Sequence, residues 1–145
     1  MLVSEVPGIL VAMPALKDTY FEKSVILLCS YDADGAFGLV MNHPSTTQVK
    51  EVLSEKMREN SAFDVPLLVG GPVQPESFWA VHSSDFSVEE TTILSPKINL
   101  SSAQDILDSI AGGQAVQSYQ FGSGYAGWGA GQLDREIQEE SWWLG

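Results

Sequence analysis

The sequence predicts an α/β fold of the α+β kind, built as one compact domain. Three observations carry this. The chain has 145 residues, 44% of them hydrophobic, enough for one core that removes roughly 68–70% of the unfolded surface from water. Its apolar runs are short and bounded by turn residues. Hairpin-linked strand patterns also occur beside separated helical ones, rather than in a strict strand–helix–strand series.

The elements follow in order. Ile9 to Met13 is a β-branched apolar run stopped by Pro14, and Pro rarely continues a strand. Residues 24–30 and 37–42 read as two strands around Asp32-Ala33-Asp34-Gly35, a hairpin turn with Gly35 suited to positive φ. Pro44 ends the second strand. Ser45 and Gln48 then match a capping box, with Val49, Val52, Leu53 and Met57 at helical spacing, so a helix is expected over 46–59. Strands are expected at 66–69 and 78–82, with weaker ones at 91–94 and 97–100. Ser101 or Ser102 caps a helix carrying Ile106, Leu107 and Ile110, closed by Gly112-Gly113. Residues 115–121 alternate as a strand, and a last helix begins near Gln132.

Charge narrows the function. Seven basic residues face 19 acidic ones, for a net charge of −12, and the cations form no run. Direct nucleic-acid binding needs a basic footprint, and docking on anionic lipid does too. Neither is expected. Cys29, the single cysteine, precludes an intrachain disulfide. Its apolar neighbours predict a buried, unreactive thiol. No apolar run reaches the roughly 18 residues of a membrane span, and the N-terminus does not read as a secretory signal. A cytoplasmic location follows as the expectation.

The most informative segment is Gly122–Gly131, GSGYAGWGAG, with five glycines and two aromatics in ten residues. Glycine at that density is costly to order, so the backbone there needs positive φ or a close approach. Residues 122–127 match G-x-G-x-x-G. A dinucleotide site would also need an acidic residue on a further strand about 20 positions on, and the chain ends at Gly145. A tight structural crossing plugged by Tyr125 and Trp128 accounts for the glycines better, and a ligand or partner cleft is the functional alternative. Gly70-Gly71-Pro72 forms a second glycine turn at a strand end. His43 and His82 are the only imidazoles. No helical spacing or nucleophile elbow pairs them. Asp32 and Asp34 lack the later ligands of a calcium loop. Gln132, Glu136 and Glu140 share one helix face, and the Gln132 amide is placed to reach back to the glycine segment. The residues imply no cofactor and no metal.

Several segments together resemble the AlgH/YqgE-like family of bacterial proteins. They are GILVAMPAL from Gly8, GAFGLVMNHP from Gly35, LLVGGPV from Leu67, Val81-His82 and GYAGWGAGQLDREI from Gly124. The resemblance implies a single domain over 1–145, with a partly closed or bifurcated mixed β-sheet flanked by helices. It implies no established activity. One branch carries a name suggesting transcriptional regulation, which the charge disfavours as direct DNA binding. The family-like positions that form a candidate binding surface are Asn42, Pro44, Gly70, Gly71, Pro72, Gly124, Tyr125, Trp128, Gln132 and Glu136. The expectation is a module that binds a protein partner or small ligand, with a regulatory role. The alternative is a hydrolase or transferase with His82 or Glu136 as general base. Relatives of this kind continue past the position of Trp143-Leu144. An exposed apolar end at Trp142, Trp143 and Leu144, favouring self-association, is therefore expected.

Overall fold

The computed structural model describes residues 8–17, 19–52, 65–113 and 116–145. Among the described residues strand dominates, with two α-helices, so the fold is α+β-like. The strands are β1 (Gly8–Ala12), β2 (Val25–Asp32), β3 (Gly35–Val40), β4 (Pro44–Gln48), β5 (Pro66–Val69), β6 (Val73–Ser83), β7 (Thr92–Ser95), β8 (Ile98–Ser102), β9 (Tyr119–Gly129) and β10 (Trp142–Leu144). The helices are α1 (Ala103–Ala111) and α2 (Gln132–Gln138).

The main strand order is β10-β1-β2-β3-β9-β6-β8-β7, with β4 and β5 attached off this path. All pairings are antiparallel except β5 with β9. The sheet is mixed and open, because β10 and β7 end the row without pairing to each other. It divides along β9. Residues Ala126–Gly129 pair with Gly35–Gly38 of β3, whereas Tyr119–Ser123 pair with Phe78–His82 of β6. One long strand thus serves two wings, which is the bifurcation.

Among the described residues, three apolar clusters form the core. One packs Leu10, Ile26, Leu28 and Val40 against Leu133, Trp128 and Trp142. A second sets Ala80 and Phe121 against Ile106 of α1. The third lies between the wings, with Leu27, Leu39, Trp79 and Leu94. Burying side chains of this size contributes about 1.5–3 kcal/mol each, which is why short amphipathic strands hold together here.

Three local expectations change. The helix over 46–59 is not formed at its start: residues 46–48 lie in β4, and Val49–Val52 is a single 3₁₀ turn. Residues 53–59 lie outside the described ones. The Ser45 hydroxyl accepts from the Thr47 amide instead of capping a helix, and the Gln48 amide donates to Glu51. Thr46 and Thr47 are β-branched and favour the strand that β5 completes. The glycine segment is no loop, since β9 runs unbroken through Gly129. Val116–Ser118 precede that strand rather than belonging to it, and Ala115 lies outside the described residues. Finally, β10 turns Trp142 inward to 2% exposure and leaves Trp143 at 55%. Its pairing with β1 absorbs part of the expected apolar end. Ser102 caps α1, accepting from the Asp105 amide.

Candidate functional site

The glycine motifs converge on one indole. Trp79 of β6 donates from Nε1 to the carbonyl of Gly124 at 2.7 Å. A Cβ on Gly122 would run into the Trp79 ring. Gly124 has φ +75°, and a Cβ there would meet the Gly71 carbonyl oxygen. Left-handed backbone and this contact together leave room only for glycine. Gly70 and Gly71 are buried against the same crossing, where the Gly70 amide donates to Ser123 at 2.7 Å. These four glycines let two wings approach around Trp79. They present no side chain to a ligand, and Pro72 lies exposed beside them.

Glu136 holds a second cluster. Its Oε1 accepts from the indoles of Trp128 at 3.1 Å and Trp142 at 3.0 Å. Its Oε2 accepts from the Gln132 amide at 3.0 Å, and Gln132 Oε1 accepts from the Gly129 backbone at 3.0 Å. The reach of Gln132 back to the glycine segment is therefore made. The two tryptophans meet edge to face at 5.9 Å. Nearby, the Tyr31 hydroxyl donates to Asp134. Burial foremost, and that bond next, raise the Tyr31 pKa from 10.0 to about 12.

The remaining candidates stand apart. Asn42 clamps a turn, accepting from the Val25 amide at 2.8 Å and donating to the Lys23 carbonyl at 2.9 Å. Pro44 borders a separate hollow of about 280 Å³ with Pro66 and Tyr119. His82 is 3% exposed. Its Nδ1 donates to the Ser83 carbonyl at 2.8 Å, and its Nε2 lies 2.8 Å from the Ser101 hydroxyl. Ser101 in turn contacts Thr91 at 2.8 Å. His82 stacks edge to face on Phe86, on the α1 side of the sheet. Just beyond it, the Asp85 carboxyl lies below the usual range because the Ser83 hydroxyl and then the Gln117 amide bond to it. Cys29 is buried, and that burial pushes its thiol up to about 12.

The sheet also carries a groove of about 940 Å³. It opens where the pairing of β6 with β9 breaks, between Val73↔Tyr125 and Phe78↔Ser123. Phe37, Phe78, Leu100 and Tyr125 line it, with Phe37 and Tyr125 edge to face at 6.0 Å. Of the candidates, Tyr125 and Trp128 reach this lining, and Trp128 does so while 7% exposed. Asp32, Asp34 and Glu90 stand exposed at the groove, and Asp32 Oδ1 accepts from the Asp34 amide at 2.8 Å. In the sequence the aspartates read as a hairpin turn that lacks calcium-loop ligands, and Phe78 reads as the start of a strand. Its signal is a large aromatic directly after Gln74-Pro75-Glu76-Ser77, and the structure leaves it 41% exposed. Among the described residues, no group of three His, Cys, Asp or Glu side chains could hold a metal, and no helix is long and apolar enough to cross a membrane.

A bifurcated open sheet with a glycine-lined crossing and a carboxylate clamping two indoles defines the class of protein. The family model described as AlgH-like matches residues 9–145, and the chain belongs to that family. It is 36% identical over 136 residues to a UPF0301 protein of Methylococcus capsulatus, covering 92% of this chain and 72% of that protein. A UPF0301 protein of Xanthomonas campestris is 37% identical over 142 residues, covering 92% and 73%. The solution structure of the AlgH protein of Pseudomonas aeruginosa superposes with a TM-score of 0.80 at 32% identity, over all of this chain and 79% of that one. A crystal structure from Corynebacterium diphtheriae shares the fold, with a TM-score of 0.77 at 23% identity, covering 99% and 76%.

Proposed function

We propose that the chain is a binding module with a regulatory rather than a catalytic role, and that the groove between the wings is its site. The observation that carries this is the groove itself. Its volume of about 940 Å³ falls at the upper end of ligand sites. It exposes Phe78 and Val73 at 41% and 37%. The two side chains suited to act as general base support the same reading. His82 is locked into the α1 side of the sheet, and Glu136 is occupied by two indoles and an amide.

The test is a titration with Nile red, a neutral apolar dye, followed by fluorescence and by backbone amide NMR shifts. Shifts are expected at Phe37, Phe78, Leu100 and Tyr125, and Phe78→Ser is expected to weaken binding at least fivefold. Phe78 is half exposed, so its loss leaves the fold intact, which circular dichroism checks. Shifts centred elsewhere, with Phe78→Ser binding as wild type, overturn the assignment.

A further inference from the structure

We infer that the natural occupant of this groove is a basic peptide segment with apolar anchor residues, presented by a partner protein. The inference rests on the reading of the groove as a binding site and adds the chemistry of what binds. Three carboxylates line the groove, Asp32 at the end of β2, Asp34 in the β2–β3 turn and Glu90 from the segment before β7. No Lys, Arg or His appears among the described lining residues. The same groove is lined by the apolar side chains of Phe37, Phe78, Leu100 and Tyr125. Such a surface is complementary to a chain that alternates cationic and apolar side chains. The ammonium or guanidinium groups meet the carboxylates, and aromatic faces accept a cation where one lies over them.

Charge selects against the other occupants. A second copy of this chain also carries −12, so its docking would bring like charges together. Nucleic acid and anionic lipid are repelled by the same rim. An uncharged small ligand would gain from the apolar lining but would leave the three carboxylates without a role.

The test uses three synthetic peptides with one apolar pattern, KFLKLFK, QFLQLFQ and EFLELFE, each capped at both ends, and measures Kd by calorimetry at low and high salt. The lysine peptide is expected to bind at least tenfold tighter than the glutamine peptide at low salt, with the advantage shrinking as salt rises. The glutamate peptide is expected to bind weakest. Neutralising the rim by Asp32→Asn, Asp34→Asn and Glu90→Gln is expected to remove most of the lysine advantage. A control of equal charge change away from the groove, Asp108→Asn, Glu139→Gln and Glu140→Gln, is expected to retain it. Equal affinity for the three peptides, or equal loss in the control, overturns the inference while the groove assignment stands. If the dye misses the groove as well, both fall.

Discussion

Glu136 is the residue whose removal tests the architecture most sharply. In Glu136→Ala the indole N–H groups of Trp128 and Trp142 lose their common acceptor. Those residues are 7% and 2% exposed, so water reaches the indoles poorly. A buried donor left without a partner costs about 1–3 kcal/mol. Two such donors give about 2–6 kcal/mol. Glu136 itself is only partly buried, so water entering behind the lost side chain returns some of this, leaving about 2–4 kcal/mol. Alanine is the best helix former, so α2 contributes no propensity loss of its own. Glu136→Gln keeps one oxygen able to accept from both indoles and gives up the charge, for about 1 kcal/mol. The assay is urea unfolding followed by tryptophan fluorescence and by circular dichroism. With a slope of about 2 kcal/mol per molar urea, Glu136→Ala moves the midpoint down by about 1–2 M and Glu136→Gln by about 0.5 M. An alanine midpoint within about 0.3 M of wild type at unchanged slope refutes the reasoning, as does a glutamine variant no better than alanine.

Further outcomes follow from the same geometry. Gly124→Ala meets both a left-handed backbone, at φ +75°, and the Gly71 carbonyl. Gly131→Ala meets a similar φ of +73° in open space. Thermal melting should show about 1 kcal/mol lost for Gly131→Ala and more than about 3 kcal/mol for Gly124→Ala; equal losses would mean that the crossing is not tight. In alkali, Cys29 and Tyr31 have folded pKa values raised from 9.0 and 10.0 to about 12. A raised pKa means the folded state holds the proton more tightly. The associated stability is therefore complete below about pH 9, declines through pH 9–12 and is gone above it. Urea midpoints measured against pH should trace that fall, and Tyr31→Phe should flatten its part between pH 10 and 12. Cys29 in the native protein should resist a thiol-reactive disulfide reagent until urea unfolds the chain.

Part of this molecule can be read without its fold. The hairpin over 24–42 is local: β-branched runs on either side of Asp-Ala-Asp-Gly set their own register, and β2 and β3 formed there. Helix α1 is local too, since Ser102, the Ile106 stripe and Gly112 specify start, face and stop within a dozen residues. The short contact from Gln132 to Gly129 spans three residues and was visible as helix geometry. The acidic composition likewise needs no structure to select against nucleic acid.

The rest is decided between segments far apart in sequence. Gly122–Gly129 reads as a loop because glycine is a poor strand former. It is a strand because Trp79, more than 40 residues earlier, occupies the space that side chains would take, and because β3 and β6 supply hydrogen-bond partners on the two halves. Residues 46–48 have helical punctuation, yet β5 offers β4 a ladder. The candidate side chains show the same division. Their residue types are legible, but Glu136 became a clamp only when α2 brought it against Trp128 and Trp142. The groove has no sequence motif at all, because it forms where β6 parts from β9 and collects Asp32, Phe37, Phe78, Glu90 and Tyr125 from five places in the chain. Sequence determines short-range geometry and net charge, since both are sums over neighbouring residues. Tertiary structure alone decides which surfaces meet, because that depends on packing among residues the chain order keeps apart.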